Sequence, residues 1–234
     1  MPNYVANVVT FGGDEKKIKD MLLAVQNDEF GPGSISFNKI IPMPPELDME
    51  SSNRSKDGLR AYQDFVAAYS LGRDFSKEDL LHIPGKAEDA YLRRHSGIDR
   101  ETWNLGRQAF QNIQKYGSPD WYDWSWEHWN TKWDAGGYDK STDYSQCDKL
   151  VFRTAYQEPA PVIRKLSEMY PDIEFTHQWA EEQMVVNCGT AKYKAGVQTE
   201  YEQVEGDDEM MDFSIEVWYQ FEHNGLPPEQ EQTM

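Results

Sequence analysis

Two stretches of this chain, more than a hundred residues apart, repeat one rhythm: a strand pattern, a helix with a single apolar stripe, and a second strand pattern. In the first, Asn3–Phe11 is rich in β-branched and aromatic residues and closes on Gly12-Gly13, the mark of a strand and its turn. Asp14 is placed to cap a helix over 15–26, in which Ile18, Met21, Leu22 and Val25 fall at i, i+3, i+4 and i+7. Ser34–Ile41 then alternates as a second strand, 35–41, ended by Pro42, Pro44 and Pro45. In the second stretch, Lys149–Tyr156 reads as a strand. Residues 160–170 follow as a helix with Ile163, Leu166, Met169 and Tyr170 on one face, and 173–179 as another strand. Two β-α-β units in one chain predict an α+β fold, a ferredoxin-like β-α-β-β-α-β sandwich with an antiparallel sheet and both helices on one face. Met184–Cys188, Ala191–Tyr193 and Phe213–Phe221 are left to extend that sheet or cover its edge.

The expected domain is interrupted. From about residue 49 to 118 the texture is helical: Leu59, Tyr62, Phe65, Val66 and Tyr69 recur at helical spacing. Ser76 with Asp79 resembles a capping box, and Trp103, Leu105, Ala109, Phe110 and Ile113 mark a helix over 100–115 that stops near Gly117-Ser118-Pro119. The organisation expected is therefore 1–48 and 119–194 as the two halves of a ferredoxin-like domain, 49–118 as a helical insertion, and 195–234 as an acidic C-terminal segment.

Between the insertion and the second repeat lies a block holding five of the eight tryptophans: Trp121, Trp124, Trp126, Trp129 and Trp133. Indole faces could serve as a stacking platform for bases or sugars. The spacing i, i+3, i+7 of Trp126, Trp129 and Trp133 instead favours a structural block that pins a helix and its exit loop onto the sheet, with Asp123, Lys132 and Asp134 ordering the loop. This block carries a resemblance. Phe37–Pro44, Trp121–Trp124 continuing through Trp129–Asp134, and Thr154–Tyr156 leading to Pro161 resemble the YubB ferredoxin-like domain family, with Asn130 where that family has glycine. Asparagine and glycine both tolerate positive φ, so a tight bend is expected there. The resemblance implies a ferredoxin-like fold and a protein carried by phages, plasmids or other mobile elements. It supplies no catalytic residue.

Charge is the other informative property. The 234 residues hold 23 Lys+Arg against 41 Asp+Glu, a net charge of −18. From Ala195 to Met234 there are eleven acidic residues and no Lys or Arg, so the other 194 residues carry only −7. Such a field repels phosphate backbones and argues against direct nucleic-acid binding. Glu205–Glu209 is expected to be a solvated loop and the tail from Asn224 to be mobile. No stretch approaches 18 consecutive apolar residues, and the N-terminus has no basic stretch followed by an apolar run, so neither membrane span nor secretory signal is expected and the cytoplasm of the host cell is the expected location.

Catalytic chemistry finds little support in the residue spacing. His82, His95, His128, His177 and His223 form no HxH, HxxxH or HExxH pair, and Cys147 and Cys188 form no CxxC, so no metal and no cofactor is expected. Gly12-Gly13 lacks the rest of a phosphate loop, and no Gly-x-Ser-x-Gly elbow is present. The function expected is thus non-enzymatic. Glu200, Glu202, Glu205, Asp207, Asp208, Glu209, Asp212 and Glu216 would engage a basic host protein that normally binds nucleic acid, as an inhibitor or nucleic-acid mimic, and the mobile-element origin that the resemblance implies makes a CRISPR or restriction complex the expected target. The alternative is an enzyme acting on a nucleotide or other small ligand in a tryptophan-lined cleft.

Overall fold

The computed structural model describes residues 2–95, 97–142, 144 and 148–223; Cys147 and the expected mobile tail from Asn224 lie outside the described residues. In chain order the elements are β1 (Tyr4–Gly12), α1 (Glu15–Val25), α2 (Asn53–Ser70), α3 (Lys77–Leu81), α4 (Gly85–Leu92), α5 (Arg100–Tyr116), α6 (Trp121–Trp129), β2 (Leu150–Ala155), α7 (Ala160–Met169), β3 (Glu174–Glu181), β4 (Cys188–Lys194), β5 (Val197–Gln203) and α8 (Asp207–Glu222), with short 3-10 turns at Phe37–Lys39 and Pro45–Leu47. They divide into two compact units: Met43–Trp124, and Met1–Pro42 together with Ser125–Met234.

The second of these holds one antiparallel sheet in the order β2-β1-β3-β4-β5. Because β1 is antiparallel to both neighbours, β2 and β3 run parallel on either side of it, joined by α7; this is the split β-α-β arrangement. β1 is buried from Val5 to Val9 on both faces, since both faces of the sheet are covered. On one side Val162, Ile163 and Leu166 bury α7 against β3, β4 and β5, and Ile18 and Leu22 of α1 line a cavity with Phe11. Asp14 caps α1 through the amide of Lys17 at 3.0 Å, as its position predicts. On the other side Ala6, Val8, Val151, Ala180 and Cys188 pack with Val217 of α8.

The first β-α-β unit is not completed. Ser34–Ile41 alternates as a strand should, with Ile35 and Phe37 fully buried, yet it forms a 3-10 turn at Phe37–Lys39 and joins no sheet. Its hydrogen-bonding groups are taken elsewhere. The Ile35 amide donates to the Tyr138 hydroxyl at 3.0 Å, the Ser36 amide to the Val25 carbonyl at 2.9 Å, and the Phe37 amide to the Asp134 carboxylate at 2.6 Å, which also accepts from Ser36 Oγ at 2.9 Å. A strand needs those groups for its neighbour, so the turn wins. Phe213–Phe221, left as sheet extension or edge cover, is instead part of α8, and Asp207–Glu209, expected in a solvated loop, is its first turn. Their negative charge sits where the helix dipole favours it.

In Met43–Trp124 the helices are built by ordinary cap chemistry. Ser52 and Ser55 form a capping box, Ser76 and Asp79 another, Asp99 caps α5 through the amides of Glu101 and Thr102 at 2.9 Å each, and Gly117 ends it at φ 86°. α2 and α5 approach until their backbones touch: a Cβ on Gly106 would lie 2.0 Å from the carbonyl oxygen of Gly58. Tyr62, Phe65, Val66, Trp103 and Phe110 form the core beside them. A carboxylate is buried among these rings. Glu88 is 3% exposed and accepts from Trp103 Nε1 at 2.8 Å, with Arg107 3.6 Å away.

Candidate interaction surface

α8 is made by a stripe that faces the sheet: Met210, Phe213, Ser214, Val217, Trp218 and Phe221 fall at i, i+3, i+4, i+7, i+8 and i+11. The sheet residues beneath them are small, so the helix lies close, and Ser214 Oγ fastens it by donating to the Met184 carbonyl at 2.7 Å. Lys149 Nζ reaches Gln220 Oε1 at 3.1 Å, and Gln220 in turn donates to Glu216 at 3.0 Å. With the inward stripe occupied, Asp208, Glu209, Asp212 and Glu216 are left on the exposed surface.

β5 adds to the same side. Cys188 belongs to the cluster under α8, so by strand alternation Thr190 and Lys192 share its face, and their register partners are Glu202 and Glu200. All eight acidic residues singled out from the sequence are exposed: Glu200 and Glu202 on β5, Glu205 in the connection, Asp207, Asp208 and Glu209 in the first turn of α8, Asp212 and Glu216 along it. One of them is neutralised, since Lys192 Nζ lies 2.7 Å from Glu200. The acidic segment is thus no appendage up to His223, because it supplies the last strand of the sheet and the helix covering one face.

The tryptophan block separates into buried and exposed members. Trp124 and Trp129 are each 4% exposed. Trp129 Nε1 donates to the Ile41 carbonyl at 3.0 Å and its ring meets Phe37 edge-on at 5.8 Å. Trp126 is half-buried with its ring 5.7 Å from Tyr156, and Trp121 is half-buried with its ring 5.7 Å from Tyr122. Trp133 corrects the expectation: it is 41% exposed, outside the helix, with Lys132 Nζ 4.4 Å from its ring centroid. α6 ends at Trp129 and Asn130 turns the chain at φ 61°, so the i+7 position no longer falls on the buried stripe.

Spacing did not reveal a buried polar row across the sheet. Asn7 Nδ2 donates to Thr154 Oγ1 at 3.0 Å and to the Val5 carbonyl at 2.9 Å, leaving its Oδ1 to accept from His177 Nε2 at 2.9 Å. All three residues are at most 1% exposed. Burial pushes the His177 pKa down to about 3, so the imidazole is uncharged at neutral pH. In Met43–Trp124 a cavity of about 450 Å³ runs along α5, lined among others by Glu46, His82, Arg107, Gln108, Gln111 and Lys115. Lys115 lies 2.9 Å from Glu46 and holds its pKa down at about 2.

A five-stranded antiparallel sheet built round one split β-α-β unit, with helices on both faces, defines an α+β domain of the ferredoxin-like class. Residues 128–223 match the family model of the ferredoxin-like domain in Api92-like protein, so α8 and β5 lie within the matched domain. The match falls on this family and not on the YubB family that the sequence motifs resemble. Among solved structures, the crystal structure of a protein api92 from Yersinia pseudotuberculosis is similar over 88% of this chain and 99% of that one, at 11% identity and a TM-score of 0.39. No curated protein matches the chain.

Proposed function

We propose that this protein is a binding module, acting without turnover, whose acidic surface on α8 and β5 engages a basic host protein that normally binds nucleic acid and thereby inhibits it. One observation carries the reading: from Ala195 to His223 there are nine carboxylates and no Lys or Arg, and the eight singled out are exposed on β5, α8 and the connection between them. Asp208, Asp212 and Glu216 recur every fourth residue, about 6 Å apart along the helix axis. Such a row presents repeated negative charge to a Lys/Arg-lined groove, speeds association and makes it salt-sensitive. The narrower assignment to a CRISPR or restriction complex drew on the YubB resemblance; with the match on the Api92-like domain, the proposal stops at a basic nucleic-acid-binding protein.

The test is capture from host lysate by the immobilised protein at low and at high salt. A discrete basic protein retained at low salt and released at high salt is expected. Retention of a small ligand through purification, with no protein captured, would favour an enzyme instead.

A further inference from the structure

The outward face of α8 is not uniformly polar. Met211 and Ile215, one turn apart, are 40% and 52% exposed, and Tyr219 continues their row. This row lies directly beside the row Asp208, Asp212, Glu216, from which it is offset by three residues. A single exposed apolar residue needs no explanation, but two on one row of a helix whose other face already supplies the packing do. The turn between β3 and β4, which bears Val185 and Val186 at 39% and 37% exposure, is tied to the same helix by the Ser214–Met184 hydrogen bond.

We propose that this face of α8 is a docking surface for a cationic amphipathic α-helix of about three turns. Its apolar row covers Met211 and Ile215 while its Lys or Arg residues meet Asp208, Asp212 and Glu216. The inference rests on the reading of a basic partner and adds what kind of element that partner offers. Adjacent i±4 rows are the ridges along which helices interdigitate, and an apolar row flanked by charge is read by a helix with the complementary rows. An extended strand repeats every 6.6–6.8 Å on one face, against about 6 Å here, and drifts out of step over three contacts. Charge selects among occupants: a second copy of α8 would set carboxylate against carboxylate, and an anionic lipid surface would be repelled in the same way.

Two 14-residue peptides of equal length and equal lysine count provide the test, one an amphipathic Leu/Lys helix former and one a Gly/Lys chain, titrated at low salt into the full protein. The Leu/Lys peptide is expected to bind at least tenfold more tightly and to gain helical circular dichroism on binding. Met211→Gln with Ile215→Gln, which keeps helix propensity, should remove that advantage, leaving the melting temperature and the Gly/Lys affinity unchanged. Asp208→Asn with Asp212→Asn and Glu216→Gln should weaken both peptides. Equal binding of both peptides to the wild type, or full Leu/Lys affinity in the Met211/Ile215 variant, overturns helix docking while leaving the basic-partner reading intact. Failure of both peptides to bind, or indifference to the carboxylate variant, overturns both.

Discussion

Carboxylates do opposite work in Met43–Trp124 and in Ala195–His223. The helical unit has fourteen acidic residues against eleven Lys and Arg, and six of those acids have clear local assignments: Asp79 completes the capping box of Ser76, Asp99 caps α5, Glu101 pairs with Arg54, Asp89 with Arg100, Glu46 with Lys115, and Glu88 is buried under Trp103. The β5–α8 segment has nine acids and no cation of its own; only Glu200 is paired, with Lys192 of β4, by an ion pair among the described residues. A carboxylate with a partner stabilises one conformation. A row without cationic partners destabilises the compact state slightly by self-repulsion and projects its charge outward. The comparison separates acids that the fold uses from acids available to something else.

The tryptophans give the same contrast within the sheet domain, with the largest expected effect: Trp129→Ala should cost about 3–5 kcal/mol as a buried large aromatic, whereas Trp133→Ala should cost less than about 1 kcal/mol. Equal losses would restore a single structural block. Glu88 and Glu216 break or sharpen the comparison of carboxylates itself. Glu88→Ala leaves the buried Trp103 Nε1 without its acceptor, while Arg107 can turn to solvent, and a loss of about 1–3 kcal/mol is expected, the scale for orphaning a buried donor. Glu216→Gln should leave stability unchanged in the same chemical denaturation experiment. No loss at Glu88 would erase the distinction.

The pH dependence is smaller and has a definite sign. His177 has a folded-state pKa near 3, below its unfolded value of about 6.5, so the unfolded chain takes up the proton first. Its contribution is fully present above pH 6.5 and is lost at up to about 1.4 kcal/mol per pH unit as pH falls towards 3. Denaturation midpoints measured between pH 7 and 5 should fall, and His177→Gln should flatten that slope. A wild-type slope unchanged by the substitution would assign the acid sensitivity to other groups.

Much of the scaffold could be read from residue periodicity. Strands 3–11, 149–156 and 173–179 and helices 15–26, 100–115 and 160–170 correspond to β1, β2, β3, α1, α5 and α7, because in each a local pattern and a local cap or stop agree. Ser34–Ile41 misled because the groups that claim its backbone, Asp134 and Tyr138, lie about a hundred residues away. α8 was obscured by its own surface: Met211, Ile215 and Tyr219 point outward, so the apolar residues of 210–221 show no clean period, and Gly206 offers no side-chain cap. The acidic residues could be counted in advance, but their gathering on one side depends on the register of β5 against β4 and on α8 being a helix. The row Asn7–His177–Thr154 joins three strands up to 170 residues apart, and no spacing rule reaches that far.

The central claim, that the unpaired acidic row of α8 is a binding surface, is tested most directly by one titration. The basic host protein captured at low salt is titrated into the wild type and into Asp208→Lys with Asp212→Lys and Glu216→Lys, at low and high salt, with melting temperature confirming that the variant is folded. These side chains are exposed and Asp212 and Glu216 lie beyond the first helical turn, so the fold should persist. The account requires affinity to fall at least tenfold at low salt, with the difference narrowing as salt screens the field. Equal affinities of the two proteins at low salt would contradict it.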